Sequence, residues 1–277
     1  SPYAVFPERR TEDFYDHEDC AGLTGRDLEA KAWELARDAE NDARFERYQL
    51  TLDCLRAVLP HELARSGETE LLLSEAIRAH NGCRADSTVK GVLRELRHAA
   101  DTSGDRHALR LADQLEHIAE LPRARNWMLA GPSASSLVDA RLLVMTMAGL
   151  TMPTGQDPAQ WQTAERLCVP LLALAMHYAY ARVYRRPRTE RKVVIFDEAH
   201  YLKDWPSVRA LLAKLERESR KLTIRAFLGS QDSRSALLAQ DASKSLIYDA
   251  IVGQVDDPDA QIRCADLLHI DPGFAPE

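Results

Sequence analysis

Four consecutive apolar residues, Val193-Val194-Ile195-Phe196, run straight into two carboxylates, Asp197-Glu198. No other stretch limits the fold so strongly. A short unbroken apolar run rich in β-branched residues predicts a strand buried on both faces, and such strands belong to parallel sheets covered by helices. The surrounding sequence agrees. Residues 223–228 and 250–255 are strand-like, and residues 142–150 (LLVMTMAGL) have the form of a buried strand. Helical patterns lie between them. Residues 157–185 place Trp161, Ala164, Leu167, Leu171, Leu174 and Tyr178 on one face, with Pro170 as a kink. Val208, Leu211, Leu212 and Leu215 follow a helical spacing, as do residues 233–248 and 258–268. Strands alternating with helices predict an α/β architecture, a parallel sheet flanked by helices.

The first part of the chain has a different texture. From Gly25 to about Leu121 only helical patterns occur. Residues 26–59 are charged and alanine-rich and carry Leu28, Trp33, Leu35, Leu50, Leu52, Leu55 and Leu59. Residues 68–80 carry Leu71, Leu72, Ala76 and Ile77. Ser87 is a candidate cap for a helix with Val89, Val92, Leu93 and Leu96, and Asp105 for one with Ala108, Leu111, Leu115 and Ile118. Gly82, Ser103-Gly104 and Pro122 punctuate these segments. The charge runs on them are solvated helix faces. Residues 1–24 are therefore expected to open an α/β core, residues 25–124 to form an inserted all-α subdomain, and residues 125–277 to complete the core.

Composition narrows the class. A chain of 277 residues makes one large domain or two ordinary ones. With 45% hydrophobic and 29% charged residues it is globular rather than disordered. A net charge of −7 excludes a basic nucleic-acid footprint over the whole surface but not a local patch. The five cysteines, Cys20, Cys54, Cys83, Cys168 and Cys264, are scattered and form no C-x-x-C, which argues against a disulfide scaffold or structural zinc and for a reducing compartment. Residues 1–13 contain no apolar signal core, and the longest apolar stretch, residues 167–176, is too short to span a membrane. A cytoplasmic location is expected. The opening Ser1, in place of Met, suggests a fragment with sequence missing upstream. Arginine outnumbers lysine 29 to 7, a bias that a GC-rich genome also produces.

Chemistry concentrates in three places. The run ending Asp197-Glu198-Ala199-His200 has the form of a Walker B motif. Ligands of parallel α/β sheets bind at the carboxyl ends of the strands, where this pair would sit. In phosphoryl transfer one carboxylate holds Mg²⁺ through its water shell and the next polarises the attacking water. Those roles fall to Asp197 and Glu198. The competing reading is an acidic pair that starts a turn and caps a helix. Next, Phe227-Leu228-Gly229-Ser230-Gln231-Asp232 closes the following strand. Gln231 there faces the same sheet edge and can sense the γ-phosphate or the attacking water, unless it only caps the helix that follows. Finally, Arg217-Glu218-Ser219-Arg220-Lys221 offers arginine that can stabilise transition-state charge across a subunit boundary. The competing reading is a basic last turn of a helix, which suits the helix dipole.

Several motifs are absent. No G-x-x-x-x-G-K-[ST] phosphate loop occurs: Ser243-Lys244-Ser245 lacks the glycines, and Val89-Lys90-Gly91 falls on a helix. His98, His107 and His117 are nine and ten residues apart, so no pair shares a helix face at metal-binding spacing. There is no G-x-S-x-G and no Cys-His nucleophile pairing.

Taken in order, these pieces resemble the C-terminal motor domain of the conjugative type IV secretion ATPases, in the HerA–FtsK group of RecA-like P-loop ATPases. Ser1-Pro2-Tyr3-Ala4-Val5 is similar to the N-P-hydrophobic segment after that family's second strand, with Ser1 where the family usually has Asn. Residues 142–150 resemble the strand before the long helix, residues 193–202 (VVIFDEAHYL) the Walker B strand, and Gly229-Ser230-Gln231 the glutamine motif. Arg220-Lys221 resembles an Arg-Lys pair that supplies contacts between subunits, and residues 249–270 the closing strand and helix. The resemblance implies a RecA-like core carrying an all-α subdomain. It implies Mg²⁺ and ATP, Glu198, Gln231 and Arg220 as catalytic residues, Asp197 at the metal, and Arg217 and Lys221 at the nucleotide. As partners it implies further copies in a hexameric ring, other secretion-channel subunits and a DNA or protein substrate, at the inner face of the cell membrane without a span of its own. The family's phosphate loop would lie upstream of Ser1.

Two other readings compete. Asp197 to His200 spells the box of DEAH helicases, but those need a Ser-Ala-Thr-like motif and a second RecA domain, for which the chain has no room. The other is a non-catalytic scaffold or adaptor that keeps the fold without turnover.

Overall fold

In a computed structural model the chain is described over residues 2–5, 8–80, 84, 87–129, 141–146, 149–153, 157–186, 188–197, 215, 217–219, 221–229, 258–259 and 261–262. The described residues are rich in helix, with one small parallel sheet. Two compact units divide at Tyr178.

The first unit, residues 1–178, is built on helix α2 (Gly25–Val58), which follows the short helix α1 (Pro2–Val5). At 1.5 Å per residue, α2 is about 51 Å long. Its inner stripe is Ala32, Ala36, Ala43, Arg47, Leu50, Cys54 and Val58, all buried. Trp33, expected on the apolar face, is instead 56% exposed, because the small alanines at 32 and 36 form the close contact. After the single turn α3 (His61–Ala64) come α4 (Gly67–Ala79), α5 (Val89–Ser103), α6 (Arg106–Glu120) and α7 (Pro122–Met128). Helices α4, α5 and α6 pack on one another in chain order, with α4 against α2 and α7 folded back on α6.

Local chemistry sets these boundaries. Ser66 Oγ accepts from the Thr69 amide at the start of α4. Asp105 accepts from the amides of His107 and Ala108, as its position ahead of the apolar series predicts. Ser87 does not cap α5. Thr88 does, accepting from Gly91 N at 3.1 Å, while Ser87 is buried one residue earlier. Gly104 ends α5 in the left-handed conformation, φ 64°, that glycine adopts without strain. Between α5 and α6, Val92, Leu96, Leu111, Leu115 and Ile118 are buried, and Arg97 reaches Glu116 and Asp113 at 2.6 Å.

Two expectations change around α8 (Thr163–Arg185). The predicted helix over 157–185 is interrupted. Asp157 Oδ1 accepts from Ala159 N to close a 3-10 turn, Pro158–Gln160, and Trp161 is extended before α8 begins. Pro170 sits inside α8. The buried positions include Leu167, Cys168, Leu172, Leu174 and Met176, so the inner face is shifted from the predicted one. Residues 142–146 are not a strand. Leu142 is 79% exposed, and no described strand lies alongside to supply a ladder. Among the described residues α8 is long and apolar enough to cross a membrane by length and composition, longer than the run at 167–176 suggests, and less than half of that apolar stretch is buried.

The second unit, residues 179–277, contains β1 (Lys192–Phe196) and β2 (Ile224–Leu228), paired in parallel with Lys192 opposite Ile224 and Phe196 opposite Leu228. Parallel pairing requires the chain to cross back over the sheet between them, and Leu215, Arg217 and Glu218 on that connection are helical. Leu215, Leu222 and Ile224 form a core with Val183, Tyr184, Val194 and Phe196. The apolar run predicts β1 to be buried on both faces. In the structure its other face is open, with Val193 61% and Ile195 71% exposed beside Phe227 of β2. The expected elements at 208–212, 233–248 and 250–255 lie outside the described residues. Of 258–268 the described residues Pro258, Asp259, Gln261 and Ile262 are helical.

Candidate functional site

Because the strands are parallel and in register, both end at the same edge. Asp197 follows Phe196 there and is exposed. The Gly229 N–H donates to the carbonyl of Phe196 at 2.8 Å and ties the two strand ends together. A Cβ on Gly229 would stand 3.3 Å from Asp197 Oδ1 and 3.6 Å from the Phe196 oxygen. The hydrogen at this position therefore leaves room beside the Asp197 carboxylate. A carboxylate at this edge suits Mg²⁺, which keeps most of its water shell and takes one or two protein carboxylates. Glu198, Gln231 and Arg220 lie outside the described residues, and no described group of three or more His, Cys, Asp or Glu could hold a metal by itself.

Arg217 and Lys221 sit elsewhere. Both are exposed and precede β2, at the amino edge of the sheet. Five residues of strand at about 3.3 Å each put roughly 16 Å between that edge and Asp197. Within one copy, Asp197 and Lys221 are not brought together.

The amino edge is tightly built. The Lys192 ammonium, buried at the start of β1, donates to the Leu222 carbonyl at 2.9 Å, and burial holds its pKa below the usual lysine value. The Lys192 amide donates to the Thr223 carbonyl at 3.0 Å. Thr223 has φ 56° and its hydroxyl donates to the Arg188 carbonyl at 2.7 Å. Beneath this turn Tyr184 stacks on Tyr180, ring centroids 3.8 Å apart. Burial, then hydrogen bonds with Tyr180 and Glu218, keep the Tyr184 phenol protonated well above its usual range. Sequence reading finds Asp197 from its strand. It does not single out Gly229, Lys192 or Thr223, since the contact partners of the last two are about 30 residues away and no motif marks them.

Among the described residues, the cysteines and His177 offer no second reactive centre. Cys20, Cys54 and Cys168 are buried free thiols. Burial pushes the Cys168 thiol up to about 11, far from a reactive thiolate. Burial also pushes His177 down to about 4, so it stays neutral near pH 7. In the first unit an open cleft of about 430 Å³ is lined by residues including Arg9, Trp33, Arg37 and Glu40. Glu40 is fully engaged there, accepting from Arg47 at 2.8 and 3.0 Å, from Arg44 at 3.3 Å and from the Arg9 amide at 3.1 Å.

A carboxylate at the carboxyl edge of a parallel strand pair, ahead of the crossover, stands where α/β domains bind their ligands. Residues 43–272, which are 230 of the 277, match the family model for the AAA-like domain. The chain belongs to that family, and its general activity class is that of an ATPase. No curated protein and no solved structure matches it significantly.

Proposed function

We propose that the chain is the motor part of an ATPase of the conjugative type IV secretion group. It works in the cytoplasm as one copy of a hexameric ring, against other channel subunits at the inner face of the membrane, and moves DNA or protein. The observation that carries the catalytic reading is Asp197, set after a parallel strand with the unsubstituted Gly229 beside its carboxylate.

Asp197 would hold a hydrated Mg²⁺ through its water shell, and the ion would supply charge neutralisation for the transferred phosphoryl group. Glu198, next in sequence, accepts a hydrogen bond from the attacking water and draws its proton away. Gln231, two residues beyond Gly229, senses the γ-phosphate, and the Gly229–Phe196 hydrogen bond links that loop to the strand bearing Asp197. Arg220, with Arg217 and Lys221, meets the nucleotide of a neighbouring copy, which agrees with Lys221 and Asp197 standing at opposite ends of strands roughly 16 Å long in one copy.

The test is Glu198→Gln in the full-length protein. ATP binding should persist while hydrolysis falls by about 10²-fold or more, the scale of losing a group that acts in the transition state. Unchanged turnover would sink the assignment. Absence of ATP binding by the unaltered protein would favour a nucleotide-free scaffold.

A further inference from the structure

We propose that the open cleft of the first unit binds one nucleotide unit, with its base stacked on Trp33 and its phosphate held by Arg9. The proposal stands on the cleft alone, since none of the residues assigned at the sheet edge lines it. Arg9, Arg10 and Glu12 contribute to it from the start of the chain, and Trp33, Arg37 and Glu40 from helix α2. At about 430 Å³ it lies in the lower part of the range of small-ligand sites.

Two of its groups are not used up by the fold. Trp33 is largely exposed, because Ala32 and Ala36 make the close contact of α2. A lone exposed aromatic is ordinary. This one shares its cleft with a cation whose bonding is incomplete. The Arg9 Nε is buried and has no hydrogen-bond partner among the described residues, and a buried donor without an acceptor costs free energy. Burial lowers the Arg9 guanidinium from its usual range. Asp13 and Glu40 partly oppose this, and Arg47 adds to it. The nearby carboxylates are committed elsewhere: Glu40 accepts from Arg47 and Arg44, Asp13 from the Arg10 amide, and Asp38 from Arg37. Glu12 is exposed and faces the three cations Arg9, Arg10 and Arg37. An oxyanion would complete Arg9, whose planar fork matches phosphate. A planar base would cover the indole, the stacking by which proteins hold unpaired bases. Arg37, 5.1 Å from the Trp33 ring centroid, adds positive charge at that ring. A nucleotide carries both features in one unit of the size that the cleft holds. A peptide would bring them on separate residues over a longer span.

The test is equilibrium dialysis of the full chain against thymidine monophosphate, an oligothymidylate single strand, inorganic phosphate and a peptide rich in Glu and Tyr. Thymidine monophosphate should bind saturably. Trp33→Leu should weaken it about tenfold or more, the scale of one lost base stack. Arg9→Met should do the same, and Arg9→Lys, which keeps the charge without the fork, should fall between. Trp33 is exposed, so Trp33→Leu should leave thermal unfolding unchanged and carries the test even if the Arg9 variants unfold. A strand that binds more than about tenfold tighter than the monophosphate, with the same dependence on Trp33, supports the proposal with single-stranded nucleic acid as the source. Equal affinities support it with the free nucleotide as the source. The proposal is overturned if neither nucleotide binds saturably, or if Trp33→Leu leaves their binding unchanged, which would put them elsewhere. Inorganic phosphate binding as tightly as the monophosphate overturns it too, because Arg9 then takes an oxyanion without a stacked base. Binding of the peptide alone overturns it in favour of a protein partner.

Discussion

The helical unit and the sheet unit are stabilised over different distances along the chain. In the first unit, boundaries are set within three residues: Asp105 binds the amides of 107 and 108, and Thr88 that of 91. In the second, the decisive bonds join Arg188 to Thr223, Lys192 to Leu222 and Phe196 to Gly229, each spanning more than thirty residues or close to it. Local bonds make a scaffold that forms in pieces. Distant bonds make an edge whose geometry exists only once both strands are in register. A nucleotide site needs the second kind, because groups from separate strands must arrive at one edge together.

In the first unit a buried polar contact on α2 also holds the Arg9 amide, and breaking it gives the largest expected effect on stability. Arg47 is fully buried, and Glu40 faces it with two hydrogen bonds. Glu40→Ala removes that carboxylate, as well as the acceptor for the Arg9 amide. Removing one partner of a buried pair leaves a charge poorly compensated, so denaturant unfolding should register a loss of about 3 kcal/mol. Glutamine at 40, which keeps an acceptor, should recover part of it. The same contact predicts a pH dependence. Burial alone would push the Glu40 carboxyl up, but the bonds from Arg47 and the Arg9 amide outweigh it and hold it below its ordinary 4.5. A folded-state pKa lower than the unfolded one stabilises above the unfolded value, and the contribution fades as pH falls through the folded one. The wild-type minus Glu40→Gln stability difference should therefore be full at pH 7 and shrink below about pH 4.5. A difference that grows on acidification would contradict the network.

Legibility follows the same division. Asp105 is readable as a cap because the chemistry is contained in four consecutive residues, and Asp197 because a fully apolar strand can end in a carboxylate only at a sheet edge. Thr88 is passed over in favour of Ser87, since neighbouring hydroxyls are equivalent until one amide chooses between them. The run at 142–150 reads as a strand from its composition alone. Composition cannot say whether a pairing partner is present, and the described residues 142–146 have none. Trp33 reads as core from its size, yet the buried Ala32 and Ala36 form the contact line of α2 in its place. Thr223 is invisible because no local pattern predicts a left-handed threonine.

A smaller effect sharpens the local side of the comparison. Asp105→Ala removes both cap bonds at the start of α6. It should cost about 1 kcal/mol, the ordinary worth of a cap. Because α6 also carries the buried Leu111 and Leu115, the loss should appear in global denaturation and in faster exchange of the first-turn amides of α6. Exchange around Lys192 should not change.

The smallest expected effect bears on the open face of the sheet. Val193 and Ile195 project from β1 on the side opposite Leu222 and Ile224, and Ile195 is 71% exposed. An exposed side chain has little transfer free energy to lose, so Ile195→Ser should change the stability of the isolated chain by less than about 0.5 kcal/mol. Val194→Ser, on the covered face against Leu222, should cost several times more. The contrast tests the sheet itself. β1 alternates its side chains between two faces, so one-residue neighbours should respond oppositely only if the parallel register with β2 is as described. Equal responses at 194 and 195 would mean that both faces are covered in solution, as the unbroken apolar run predicts. The distant-bond side of the comparison would then extend over the whole strand rather than its two edges.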